Sequence, residues 1–177
     1  KATPGKINFA TGQLGSTNHL AALLFKSMAG IDIVHIPYKG TGAALPDLIA
    51  GRVQMMFPNA GAVTDHLKSG RLLALAVTSL QPSALAPGLP TVTATGLPGY
   101  ESIATQGIFA PFKTPQAIVN RLNREIVRAL NLPEVKEKFL ATGVEVVGNS
   151  PRQFAATVKS DIERLGKLIK ETGIRVE

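Results

Sequence analysis

Lys6-Ile7-Asn8-Phe9-Ala10-Thr11-Gly12-Gln13-Leu14-Gly15-Ser16-Thr17 is the stretch whose reading decides the fold. Its first five residues read as a β-strand. Gly12 to Thr17 is short and polar and reads as a loop, with Ser16 or Thr17 able to cap the next helix. From Asn18 to Met28 the pattern changes to helical spacing, with Leu20, Leu23, Leu24 and Met28 on one face and Gly30 as the stop. The same unit then recurs. Ile31 to Ile36 predicts a strand, Tyr38 to Gly42 a loop, and Ala43 to Ala50 a helix stopped by Gly51. Val53 to Phe57 predicts a third strand, Pro58 to Gly61 a loop, and Ala62 to Lys68 a helix ended at Gly70. Leu72 to Val77 is continuously apolar and predicts a fourth strand, buried on both faces. Strand, short loop and helix in alternation predict an α/β layer with a mostly parallel sheet and helices on both faces.

The second half reads differently. Gln81 to Tyr100 carries Pro82, Pro87, Gly88, Pro90, Gly96, Pro98 and Gly99, a composition for an ordered irregular connection. Ile103 to Ala110 predicts a strand. Thr114-Pro115 predicts a helix start, with Thr114 as cap, and Ile118, Leu122, Ile126, Val127 and Leu130 mark the apolar face. Glu134 to Leu140 predicts a short helix and Val144 to Val147 a strand. Ser150-Pro151-Arg152-Gln153 has the form of a capping box before a long helix ended by Gly173.

Composition narrows the function. The chain has 177 residues, 45% hydrophobic and 18% charged, which excludes a disordered or collagen-like polymer. Cysteine is absent, so there is no thiolate nucleophile, disulfide framework or zinc-thiolate site. No apolar run is long enough to span a bilayer. Nineteen basic against 12 acidic residues give a net charge of +7. The basic residues are spread out, and on the last helix Asp161, Glu163 and Glu171 interrupt them, so a solvated face explains them better than a nucleic-acid stripe. Aromatics at 5%, with no Trp, also suit stacked bases poorly.

In open parallel sheets ligands bind beyond the carboxyl ends of strands, beside helix N-termini. Three loops have that address: Gly12 to Thr17, Tyr38 to Gly42, and Pro58 to Gly61. Each holds glycine and short polar groups, and none holds a carboxylate. Free N–H groups, hydroxyls and helix dipoles there would favour a small anion. Each residue also has a plainer reading. Ser16 or Thr17 can be an ordinary cap. Lys39 can be a solvated lysine, and Asn59 can cap the helix after Ala60 or donate to a ligand. Ser16 and His19 invite a hydrolase reading, but no nucleophile elbow or orienting carboxylate accompanies them. His35 and His66 have no second ligand at metal spacing, and Asp32 and Asp47 read as isolated carboxylates.

Several strings together resemble one family. They are Gly5-Lys6-Ile7-Asn8-Phe9-Ala10, Gly15-Ser16-Thr17 with His19-Leu20, and His35-Ile36-Pro37-Tyr38-Lys39-Gly40. Asp47 to Val53 with Met56-Phe57, Gly70-Arg71-Leu72 through Ser79, Leu89-Pro90-Thr91-Val92, and Gly96 to Tyr100 complete the set. The order resembles that of the Bug family, periplasmic solute receptors of tripartite tricarboxylate transporters, over essentially the whole chain. The resemblance implies a type II periplasmic-binding-protein fold, a venus flytrap whose two α/β lobes close on a small di- or tricarboxylate, aromatic acid or amino acid. It implies periplasmic location, delivery to a membrane permease, no cofactor, no reaction and no nucleic-acid partner.

Carried onto this chain, the resemblance implies ligand-binding roles for Gly12, Gln13, Leu14, Gly15, Ser16, Thr17 and His19. It extends them to Tyr38, Lys39 and Gly40 in the second loop, and to Asn59 and Ala60 in the third. The family also has a long N-terminal segment building most of the first lobe. The chain is therefore expected to be a fragment: residues 1–105 as the second lobe, and 106–177 as a crossing strand and C-terminal helices that return to the first. The apolar faces of those helices are expected to pack back on the present lobe or on another chain, the latter giving self-association. A ligand-sensing domain of a regulator shares this architecture and is the competing reading.

Overall fold

The structure is a computed structural model and describes residues 4–174. It divides into two compact units, one taking residues up to Ala104 together with those from Lys167 onward, the other Thr105–Gly166.

In the first unit three parallel strands form a sheet of order β2-β1-β3. They are β1 (Asn8–Thr11), β2 (Val34–Pro37) and β3 (Met55–Met56). Phe9 pairs with His35 on one side and with Met55 on the other. The strand period of two then sorts the core. Phe9 packs with Ala22 and Ile33, under α1 (Thr17–Ala29). Ala10 turns to the opposite face and packs with Ala44 and Val53, under α2 (Thr41–Ile49). Helices on both faces of a parallel sheet are what the β-loop-α rhythm predicts. A third helix, α3 (Ala60–Lys68), follows β3. Gly30 ends α1 at φ +57, a left-handed backbone that a side chain would strain.

The predicted strand over Leu72 to Val77 does not form. Among the described residues its one ladder contact is an isolated bridge between Val77 and Thr91, and Leu73 and Leu75 stay 83% and 71% exposed. Apolar residues make a strand only where a neighbour satisfies the backbone, and this segment has such a neighbour at its end alone. The Pro/Gly-rich connection after it is irregular, as its composition predicts, and is tied down by Tyr100. That fully buried side chain donates from its hydroxyl to Ala21 O at 3.0 Å and meets Phe25 edge-on at 5.9 Å.

In the second unit α4 (Gln116–Leu130) and α5 (Pro133–Ala141) follow the predicted spacing. Pro115, not Thr114, occupies the cap position of α4, and no side chain caps it. The capping box is present before α6 (Pro151–Thr172): Gln153 N–H donates to Ser150 Oγ at 3.3 Å and Ser150 N–H to Gln153 Oε1 at 3.0 Å. Over Ile103 to Ala110 and Val144 to Val147 no strand ladder forms among the described residues, and Ile108, Phe109 and Val147 are largely exposed. The crossing segment is thus not a ladder strand. No helix among the described residues is long and apolar enough to cross a membrane.

Tyr100 separates packing from hydrogen bonding. Tyr100→Phe should cost about 1–2 kcal/mol, the lost bond to Ala21 O. Tyr100→Ala should cost about 3–5 kcal/mol. Urea denaturation midpoints of the two variants check the difference.

Candidate functional site

Because β1 lies between β2 and β3, the three strand tips open side by side, each followed by a helix start. The first two loops touch directly. A Cβ on Gly12 would meet the Gly40 backbone at 3.4 Å, and Asn18 Nδ2 donates to Thr41 Oγ1 at 3.1 Å. Tyr38 N–H donates to Thr11 O at 3.0 Å, so the second loop leaves from the end of β1.

Loop one is turned by Gly15, at φ +75, and closed by Ser16 N–H donating to Gln13 O. Ser16 is the cap of α1, its hydroxyl accepting from His19 N–H at 3.4 Å. Thr17, Gln13 and Leu14 are exposed at the mouth, while Gly12 is buried beneath them. His19 is buried and folds back, its Nδ1 accepting the Gly15 N–H at 3.1 Å. It stacks on His35 at 4.4 Å, and His35 stacks in turn on Phe9 at 5.0 Å. His35 Nε2 lies 2.6 Å from the buried Thr11 hydroxyl, which donates to Gly12 O at 3.1 Å. Burial, and secondarily the neighbouring His35, lowers His19 from its ordinary 6.5 to about 4. Burial lowers His35 as well. Both rings are neutral at pH 7. The Ser16 and His19 side chains are each engaged with backbone of the turn rather than with one another.

Loop two carries Lys39, exposed, and Gly40, the cap position of α2. Tyr38 turns away from the tips. Its hydroxyl donates to Asp47 Oδ2 at 2.7 Å, and Arg52 reaches the other oxygen, Oδ1, at 2.6 Å. The tyrosine hydroxyl and then Arg52 hold the Asp47 carboxyl below the usual range, and the bond to Asp47 raises Tyr38. Asp47 is therefore the hub of a cluster and not isolated. Loop three presents Asn59, exposed at the cap position of α3, whose side chain makes no cap bond, and Ala60 beside it. His66 sits further along α3 with its Nδ1 buried and unpaired. Among the described residues no three His, Cys, Asp or Glu side chains could hold a metal ion together.

Sequence reasoning missed Thr11, Asn18 and Thr41, and passed over His35. Pairing the alternation of β1 with that of β2 would have placed His35 on the Phe9 face, against α1. Asn18 carried no such signal, because its partner lies 23 positions away.

An α/β unit whose helix starts and carboxylate-free loops gather at adjacent strand tips has the build of a solute-binding lobe. Similarity to known proteins gives the family. Residues 1–174 match the tripartite tricarboxylate transporter family receptor, TctC, and the chain belongs to that family of solute-binding receptors. It is 40% identical over 172 residues to the "UPF0065 protein in tcbD-tcbE intergenic region" of Pseudomonas sp. strain P51, covering 97% of this chain and 51% of that protein. It is 37% identical to protein BugT of Bordetella pertussis, covering 100% of this chain and 54% of BugT. The chain thus spans about half the length of these relatives. Against a shorter one, the "UPF0065 protein in clcB-clcD intergenic region" of Pseudomonas knackmussii, it covers 93% at 40% identity over 157 residues, 88% of this chain.

Among solved structures, R. palustris Rpa4515 with adipate superposes with TM-score 0.82 at 35% identity, over 98% of this chain and 58% of that one. MatC from Rhodopseudomonas palustris with bound malate gives 0.73 at 29%, over 93% and 57%. The periplasmic binding protein BugD gives 0.73 at 31%, over 99% and 60%. The fold is the periplasmic-binding-protein α/β fold of this family.

The neutral histidines link stability to pH. Their folded pKa values lie below the unfolded ones, so the unfolded chain binds more protons in that window. Stability should fall as pH drops from about 6.5 toward 4, the range over which His19 resists protonation in the folded chain. Thermal melts of the wild type and of His19→Asn check this, the variant showing the shallower loss. Tyr38→Phe should raise the Asp47 pKa, visible by carboxyl NMR titration.

Proposed function

We propose that the chain supplies one wall of an extracytoplasmic, periplasmic receptor that captures a small carboxylate and delivers it to the permease of a tripartite tricarboxylate transporter. One observation carries the reading. Three adjacent loops without a single carboxylate end in helix starts, and polar groups remain free at their tips. Orphan N–H groups of a first helical turn bind anions, and the aligned peptide dipoles add to the attraction. Asn59, whose amide is not spent on capping, and Lys39, exposed beside Gly40, supply a donor and a positive charge. Tyr38, committed to Asp47, serves by holding its loop. Structural neighbours carrying adipate and malate support a carboxylate guest.

Residues 1–105 are assigned as the second lobe of such a receptor and 106–177 as the segment that serves the first. The receptor reading assigns no reaction and no cofactor to these loops. A single wall leaves water in the site, so charge-assisted bonds there act in a high dielectric and gain little. Affinity of this chain alone should be millimolar or weaker.

Adding adipate to isotopically labelled protein at pH 7.5 should shift the amides of residues 12–17, 39–42 and 59–61 in a saturable way. The dication 1,6-diaminohexane should leave them unmoved. Asn59→Ala should weaken adipate three- to tenfold without lowering the melting temperature. Shifts scattered over α4 to α6, or submicromolar affinity, would contradict the one-wall reading.

A further inference from the structure

We propose that His19 and His35 are positioning residues that, as neutral rings, pin the two ends of the anion loop. His19 does so by accepting the Gly15 N–H, and His35 by acting through the Thr11 hydroxyl on Gly12 O. The inference rests on the reading of residues 12–17 as a carboxylate loop. It adds what keeps that loop in shape.

The hydrogen-bond roles follow from proton counting. A threonine hydroxyl has one proton, and Thr11 places it on Gly12 O at 3.1 Å. His35, 2.6 Å away, must then donate from Nε2. An amide N–H can only donate, so Gly15 requires an unprotonated His19 Nδ1, and the proton of neutral His19 sits on Nε2. Each ring is thereby fixed in one tautomer. The 4.4 Å stack makes the two rings one body, anchored on Phe9 in the core of the sheet. Loop one is consequently held at Gly12 from β2 and at Gly15 from α1, and the residues between them are left facing outward. Gly15, in its left-handed conformation, aims its N–H inward at the ring.

The surroundings keep the pair neutral. β1 contributes no ionisable side chain, and β2 contributes His35 alone. On α1, Lys26 is engaged with Asp32. On α2, Asp47 is engaged with Tyr38 and Arg52. Lys39, in the second loop, is exposed. None of these elements brings a free carboxylate to stabilise an imidazolium, and the neighbouring His35 further disfavours charge on His19. The acceptor at Nδ1 therefore persists down to a pH of about 4.

Two measurements test this on the full chain. By NMR without ligand, the Gly15 amide should titrate together with the His19 ring, near pH 4, and should stay flat over that range in His19→Asn, whose Oδ1 takes the acceptor's place without titrating. At pH 7.5, with adipate as probe, His19→Asn should bind within threefold of wild type. His19→Phe, which keeps the stack but offers no acceptor, should lose tenfold or more. Thr11→Val should lose about fivefold. A Gly15 amide indifferent to the His19 titration overturns the proposal. So does equal loss in the Asn and Phe variants, which would make the ring itself a ligand contact. If no protein binds adipate or malate while Gly15 still follows His19, the pinning stands and the carboxylate reading of the loop fails.

Discussion

The central position of β1 is the constraint on which the rest depends. A strand of four residues, paired in parallel on both sides, forces three strand ends onto one edge. Each following helix must then start at that edge, because a parallel neighbour is reached only by a crossover. The three loops come together through backbone hydrogen bonding, before any loop side chain is considered. The alternation of Phe9 and Ala10 puts α1 and α2 on opposite faces, so two helix starts approach the tips from the two sides of the sheet.

The chemistry at the edge is one-sided. The loops supply N–H groups, hydroxyls, two side-chain amides (Gln13 and Asn59) and one ammonium, and the nearby acid, Asp47, accepts from the Tyr38 hydroxyl and is paired with Arg52. Beneath this edge lies a layer of buried polar groups: Thr11, Asn18 and His19. Buried polar groups cost free energy unless paired, and here Thr11 pairs with His35 and Gly12 O, Asn18 with Thr41, and His19 with the Gly15 N–H.

Much of the first unit was legible in the sequence. The period of two in β1, the helical spacing after Asn18 and the glycines at 30 and 51 each act within a few residues, so they could be read locally. Ser150 with Gln153 was legible for the same reason. The failures share a cause too. Leu72 to Val77, Ile103 to Ala110 and Val144 to Val147 have the apolar residues of strands, but a strand also needs a ladder partner, and partners are not written in the segment itself. The site divided along the same line. The position of its loops and the capping role of Ser16 could be read from local pattern, whereas the bond from Tyr38 to Asp47 on the next helix could not.

What the sequence determined by itself was therefore the local alphabet: which segments alternate, which coil, where glycine must turn the chain, and which family the order of motifs matches. Only the tertiary structure decided which apolar runs became strands, that His35 lies over Phe9 and under His19, and that Asn18 reaches Thr41. Those outcomes depend on pairs of residues brought together by strand pairing and packing across tens of positions. No periodicity within one segment encodes the partner it will meet.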